Sequence, residues 1–238
     1  MDIREQGRVV SRTVERAEID EGLRSYMLRV YNYMASGLAL TGVVAYGVSS
    51  SPEAMHAIFG TPLFWLVVLA PLGLVFFLSA RINAMQASTA QALFWVYAAL
   101  MGVSLASIFV VYTGESIARV FFITAGSFAG LSLYGYTTKR DLSGFASFLM
   151  IGLIGIIIAG LVNLFLHSSG LQFAISVIGV LVFAGLTAYD TQSIKEIYYA
   201  GDDGSVATKK SVMGALRLYL DFINLFLLLL QLFGNRRD

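Results

Sequence analysis

Residues 152–162 read Gly-Leu-Ile-Gly-Ile-Ile-Ile-Ala-Gly-Leu-Val, and no Asp, Glu, Lys or Arg occurs between Asp141 and Asp190. A membrane-spanning helix needs about 20 predominantly apolar residues. The stretch 143–166 around this core meets that requirement. Working outward, six more stretches do so, at roughly 30–50, 62–80, 90–112, 117–138, 171–197 and 212–233. No alternation over about ten residues of the kind that builds an outer-membrane barrel occurs. Connections such as Thr113-Gly-Glu-Ser116 and His167-Ser-Ser-Gly170 are short, which predicts that sequential helices are antiparallel neighbours. The predicted fold class is all-α: a polytopic membrane protein with seven transmembrane helices. Residues 1–28 form a polar tail and residues 29–238 the membrane domain.

Composition agrees with the segment reading. Of 238 residues, 57% are hydrophobic and 13% charged, whereas soluble domains carry about a quarter charged residues. Sixteen basic and 15 acidic residues leave a net charge of +1, so no nucleic-acid partner is expected. The absence of cysteine excludes disulfides, thiolate metal sites and cysteine nucleophiles. Two histidines, His56 and His167, are too few for an imidazole-based metal centre.

Loop cations set the expected orientation. With the N-terminus inside, Arg4, Arg8, Arg12, Arg16, Arg24, Arg29, Arg81, Lys139, Arg140, Lys195, Lys209 and Lys210 fall inside. Only Arg119, Arg236 and Arg237 fall outside. This predicts a cytoplasmic N-terminus. The tail has no signal-type apolar core. Ile19, Leu23, Met27 and Val30 recur at helical spacing, as in an amphipathic helix on the inner surface or a helical extension of the first span.

Small residues suggest close helix approach. Gly126 and Gly130 form a Gly-xxx-Gly pair and Ser36–Gly42 is rich in small residues. Such spacing serves packing within the bundle or a homodimer seam. Pro71, midway through the second span, removes one helix hydrogen bond and is expected to kink it.

Ionisable groups inside a membrane are costly and mark function by default. Four stand out: Arg81 ending the second span, Asp190 late in the sixth, and Arg217 and Asp221 in the seventh. The midpoint of positions 190 and 221 falls between Ser205 and Val206, inside the polar segment 201–210. A symmetric hairpin therefore sets both carboxylates at similar depth, with Asp221 about 14 Å in if its span starts near Val212. For Asp190 to match, the sixth span must continue to about Tyr199. Two close carboxylates in a low-dielectric site cannot both ionise cheaply and share a proton. Ionised, they offer a hard oxygen site for a divalent cation such as calcium, weak enough to allow permeation. Arg81 is the expected counter-ion. Arg217 either neutralises Asp221 from one turn away or snorkels to the inner surface. The alternative for each aspartate is a helix-linking role. Asn163, Asn224 and Gln231 are expected to bond between helices; Glu115, Asp202 and Asp203 are expected to be solvated loop charges.

His-Glu-xx-His, Gly-x-Ser-x-Gly and nucleotide-binding glycine motifs are absent from the sequence. The chain is not expected to be an enzyme or to carry a cofactor, with calcium only as a permeating ion.

The segments Tyr31–Gly42, Phe77-Leu-Ser-Ala-Arg-Ile82, Ala188-Tyr-Asp-Thr-Gln192 and Leu220-Asp-Phe-Ile-Asn-Leu-Phe-Leu-Leu-Leu-Leu230 resemble the Bax inhibitor-1 (transmembrane BAX inhibitor motif) family in its bacterial branch. The segments around Asp190 and Asp221 are the specific ones. The resemblance implies a seven-helix fold with the C-terminal helix central, wrapped by the other six. It also implies a pH-sensitive calcium leak in which Asp190 and Asp221 act as proton sensor, gate and metal site and Arg81 latches onto them. It places the protein in a bacterial inner membrane. The polar loop after the sixth span looks longer than is usual in the family. Some bacterial members are linked to inhibition of a membrane AAA protease. The favoured expectation is therefore a pH-sensitive calcium leak channel working on calcium ions and protons within the lipid bilayer. The alternative is a regulatory membrane protein that modulates a partner such as that protease.

Overall fold

The computed structural model describes residues 3–237, with side chains from residue 21 to residue 237. Its helices are α1 (Ile3–Ser49), α2 (Pro52–Phe59), α3 (Leu63–Arg81), α4 (Ala87–Leu105), α5 (Ile108–Val111), α6 (Gly114–Thr137), α7 (Ser143–Leu166), α8 (Ser169–Glu196) and α9 (Gly204–Phe233). Among the described residues the only extended pairing is an isolated antiparallel bridge between Tyr112 and Arg236. Six helices are long and apolar enough to cross a membrane: α3, α4 with α5, α6, α7, α8 and α9. The seventh span is the second half of α1. It is less apolar than the other six, and its buried Thr41 and half-buried Tyr31 bond to other helices. Residues 19–30 belong to the same unbroken α1, so this segment extends the first span. Met27 and Val30 are buried in the bundle; Ile19 lies outside the described side chains.

The last helix is central. In α9, 72% of the most apolar window is buried, against 6% in α7. Leu216, Leu218, Tyr219, Leu225 and Leu230 point in different directions around α9, yet each is 2% exposed or less. Only one narrow stripe of α9, Met213, Arg217, Leu220, Asn224, Leu227 and Gln231 at i, i+4 and i+3 spacing, is half-buried or exposed, and the rest of its circumference is buried. Four helices supply the surround, namely α1, α4, α6 and α8, while α3 packs chiefly on α4 and α7 on α8. Helix α9 is thus wrapped directly by four helices, with two more outside them.

Connectivity does not dictate neighbours throughout. Helices α6 and α7 are joined by residues 138–142, yet each packs mainly on α8. Gln192 of α8 holds this link: its Oε1 accepts from Leu142 N–H at 2.8 Å and its Nε2 donates to the Arg140 carbonyl at 2.8 Å. Satisfying the polar backbone of the link lets α8 sit between the two helices.

Helix α9 begins earlier than its apolar run. Asp203 caps it, accepting from Val206 N–H at 2.7 Å. Asp202 pairs with Lys210 at 2.5 Å. Both were expected as solvated loop charges; the α9 N-terminus uses one as a cap and the other as an ion-pair partner. Residues 204–210, expected as loop, are therefore the first two turns of α9. Helix α8 ends at Glu196, three residues short of Tyr199.

Gly126 and Gly130 have open space where a Cβ would stand and are exposed, so they do not pack within the bundle. The close approaches occur at other glycines. A Cβ on Gly135 would lie 2.2 Å from the Ala188 carbonyl oxygen, and one on Gly102 2.7 Å from that of Thr41. Helix α3 continues through the buried Pro71. At the opposite end, Thr113 N–H donates to the Asn235 carbonyl at 3.0 Å, Asn235 N–H to Ser116 Oγ at 2.8 Å and Arg237 N–H to the Val111 carbonyl at 2.9 Å. These bonds tie the chain end to the α5–α6 connection, so α9 crosses the full bundle.

Candidate functional site

Asp190 and Asp221 meet on the seam between α8 and α9. The stripe Phe183, Thr187, Thr191 and Ile194 of α8 is buried at i, i+4 and i+3 spacing, which aims this face of the helix at α9. Asp190 lies at the edge of that stripe and is half-buried; Asp221 is 4% exposed. Contacts between Gly179 and Leu228, and between Ile194 and Gly214, keep the two helices in an antiparallel register close to the symmetric hairpin. That register brings the two carboxyl groups within hydrogen-bonding reach of each other. Asp221 Oδ2 is buried and finds no donor among the described residues. A proton held by the Asp190 carboxyl would supply it.

Arg217 lies one turn before Asp221 on α9; it is exposed and makes no ion pair with either carboxyl. Arg81, the expected counter-ion, is exposed at the end of α3 and forms no salt bridge among the described residues. The structure thus brings Asp190, Asp221 and Arg217 together and leaves Arg81 apart, because α3 packs on α4 and not on the α8–α9 hairpin.

Two hydrogen-bonded chains link three further helices, α1, α4 and α6, to the helices of the seam. Tyr31 Oη of α1 bonds Ser132 Oγ of α6 at 2.7 Å, and Ser132 bonds Thr191 Oγ1 of α8 at 2.9 Å. Thr41 Oγ1 of α1 bonds Tyr219 Oη of α9 at 2.7 Å and lies 2.8 Å from the Ala98 carbonyl of α4. Tyr219 also stacks edge-on against Tyr97 at 5.4 Å. Sequence reasoning missed these groups. The available signal was the i+4 recurrence of Thr187 and Thr191 beside Asp190.

At the end carrying most of the cations, hereafter the basic end, Tyr26 lies buried under Tyr198, with ring centroids 5.6 Å apart. Burial pushes the Tyr26 phenol up to about 12, with Asp202 adding to the rise and Arg217 opposing it. At the opposite end, Gln231 Oε1 accepts from Gln172 Nε2 at 2.7 Å and from Ser176 Oγ at 2.9 Å, and Asn163 Nδ2 donates to Gln172 Oε1 at 3.1 Å. Asn163 and Gln231 thus bond between helices as expected. Asn224 instead donates to the Leu220 carbonyl of its own helix at 2.8 Å.

Among the described residues no group of three or more His, Cys, Asp or Glu converges as a metal cage. The pair on α8 and α9 therefore offers a cation two carboxyl groups and no third acidic or imidazole ligand. Such a site can hold a proton firmly and a hard cation only weakly.

A helical bundle built around a central apolar helix, with an acidic pair on its seam, defines a polytopic α-helical membrane protein. The pattern of the family described as "Inhibitor of apoptosis-promoting Bax1" matches residues 23–238. The chain belongs to this Bax inhibitor-1 family. It is 52% identical to the uncharacterized protein RP147 of Rickettsia prowazekii over 231 residues, covering 97% of this chain and 98% of the relative. It is 52% identical to the inner membrane protein YbhL of Escherichia coli K12 over 219 residues, covering 91% and 94%. An uncharacterized Caulobacter vibrioides protein is 48% identical over 231 residues, covering 92% of each. With these relatives and its apolar helices, the chain is a multi-pass inner membrane protein.

Proposed function

We propose that this protein is a pH-sensitive calcium leak channel in which Asp190 and Asp221 form the proton sensor and gate and the weak metal site. The observation that carries the reading is the buried Asp221 Oδ2 without a donor, set beside the carboxyl of Asp190. Two carboxylates about 4 Å apart repel by about 4 kcal/mol at an effective dielectric constant near 20. One shared proton removes that repulsion and satisfies the buried oxygen. Losing it leaves two like charges on the seam, which favours separation of α8 and α9 or entry of a cation between them. The basic end faces the cytoplasm by the excess of loop Lys and Arg. Arg81, at that end, takes a latching role only if α3 swings toward the seam; Arg217 lies one turn before Asp221 where it stands.

Calcium flux into liposomes, followed across pH for wild type, Asp190→Asn and Asp221→Asn, tests the reading. The wild type is expected to show a pH-dependent leak, and each variant a flattened dependence. An unaltered pH profile in both variants rejects the sensor. A wild type that passes no calcium at any pH rejects the leak.

A second reading is favoured by one feature: α1 runs unbroken from Ile3 into the first span, and the part before Leu23, which packs on the core, is about 20 residues, or roughly 30 Å. Such an arm is suited to contacting another membrane protein, such as a membrane AAA protease. Deleting residues 1–18 and measuring turnover of that protease's substrates tests it; unchanged turnover removes this reading.

A further inference from the structure

The bundle wall is not closed between α1 and α6. A cleft of about 740 Å³ opens there, inside the range of roughly 300–1,000 Å³ occupied by ligand pockets. Its cause is compositional. Ala35 and Ala39 on α1 face Ala125 and Ala129 on α6, each pair at i, i+4, so both walls are low along their length. Tyr31 bonds Ser132 at 2.7 Å. The ring of Phe222, 3% exposed and packed edge-on against Phe121 and Phe128, supplies apolar floor. One end is marked by charge: Arg24 lines the cleft at the basic end and is exposed.

We propose that this cleft holds one acyl chain of an anionic phospholipid, whose phosphate headgroup pairs with Arg24. The dimensions fit a single leaflet. From Arg24 to Ala39 the cleft runs 15 residues along α1, or about 22 Å, which matches half of a bilayer of about 40–45 Å with its headgroups. Arg24 precedes the first span by six residues, or about 9 Å, the depth of a headgroup. The stretch from Val30 to Ala39 covers about 13 Å, close to the ~15 Å of one hydrocarbon leaflet. A cation at the headgroup level and an apolar channel below it are the two features an anionic lipid presents in reverse. In lipid, where burial of apolar surface gives no gain, retention comes from van der Waals packing in the groove and from the headgroup pair. The cleft opens between α1 and α6, whereas the aspartate pair lies on the α8–α9 seam.

The test is native mass spectrometry of the full chain in detergent micelles, titrated with dioleoyl phosphatidylglycerol or dioleoyl phosphatidylethanolamine. The wild type is expected to retain one lipid saturably, with phosphatidylglycerol preferred by about fivefold, the worth of one basic residue at an anionic surface. Ala129→Trp fills the cleft and is expected to abolish saturable binding. Ile158→Trp, on the lipid-exposed face of α7, is expected to leave it unchanged. Arg24→Gln is expected to keep one bound lipid and lose the preference. No saturable lipid on the wild type, undiminished binding in Ala129→Trp, or a lipid-free dimer overturns the assignment. Arg24 is exposed, so its variant folds, and an unchanged preference there overturns the assignment even if Ala129→Trp is unstable. Calcium flux is not the readout, so failure here leaves the leak reading standing.

Discussion

Replacing Gly135 by alanine tests whether α6 and α8 meet backbone to backbone beside the acidic pair. The new Cβ would stand 2.2 Å from the Ala188 carbonyl oxygen and 2.9 Å from its carbonyl carbon. Neither atom is the end of a flexible side chain, so the helices must separate by about 1 Å to reach a tolerable contact. Overpacking of this kind costs about 1–3 kcal/mol. The separation also stretches the Ser132–Thr191 hydrogen bond, now 2.9 Å, which adds about 0.6 kcal/mol, typical of interhelical bonds in membranes. Gly126→Ala is the internal control. It lies in the same helix and a Cβ there meets nothing within 4 Å, so the gain in helix propensity, at most about 1 kcal/mol, largely cancels between the two variants. Unfolding in mixed micelles of a mild detergent and dodecyl sulfate is expected to place Gly135→Ala below Gly126→Ala by about 1.5–3.5 kcal/mol. If the two agree within about 0.5 kcal/mol, the close approach of α6 and α8 is wrong.

Four further outcomes follow from the same geometry. If the leak reading holds, Arg217→Gln is expected to alter the calcium-flux pH profile more than Arg81→Gln, because Arg217 lies one turn from Asp221 and α3 packs on α4; the reverse order would give Arg81 the governing role. Gln192→Ala releases both hydrogen bonds that hold residues 138–142, at a cost of about 1–3 kcal/mol, and is expected to speed amide exchange there while leaving α9 protected. Asp141 in that link is held below the usual carboxylate range by the Ser143 hydroxyl and N–H, so its contribution is present at neutral pH and is lost as pH falls through its folded value. Exchange at 138–142, corrected for its intrinsic pH dependence, should therefore rise in acid, and a flat profile would remove Asp141 from the clamp. Tyr219→Phe deletes the bond to Thr41 and is expected to lower stability by about 0.5–1.5 kcal/mol; because Thr41 also bonds the Gly37 carbonyl at 3.0 Å, a loss above about 3 kcal/mol would show that the Thr41 hydroxyl is left unsatisfied.

The sequence alone carried the spans, because apolar length is a one-dimensional property and each helix satisfies its own backbone in lipid. It also carried the identity of Asp190 and Asp221, since an acid within an apolar run is conspicuous wherever it later points. The depth match of the pair was legible too, because a hairpin maps position onto depth through a fixed rise per residue. Even there the boundaries moved: Asp203 drew the start of α9 back to Gly204, a capping choice that an apolar-run reading passes over.

What the fold alone decided was sideways placement. Gly126 and Gly130 carry the packing motif and face outward, whereas Gly135 and Gly102, in no such motif, receive the closest neighbours. Arg81 and Arg217 both lie near the basic end, yet Arg217 shares α9 with Asp221 one turn away, while α3 packs on α4 and carries Arg81 apart from the seam. Helices α6 and α7 adjoin in the chain and are parted by α8 in space. Periodicity tells a helix which face it will bury but not which helix will cover that face, and that choice comes from the shapes and hydrogen bonds of many side chains fitted together at once.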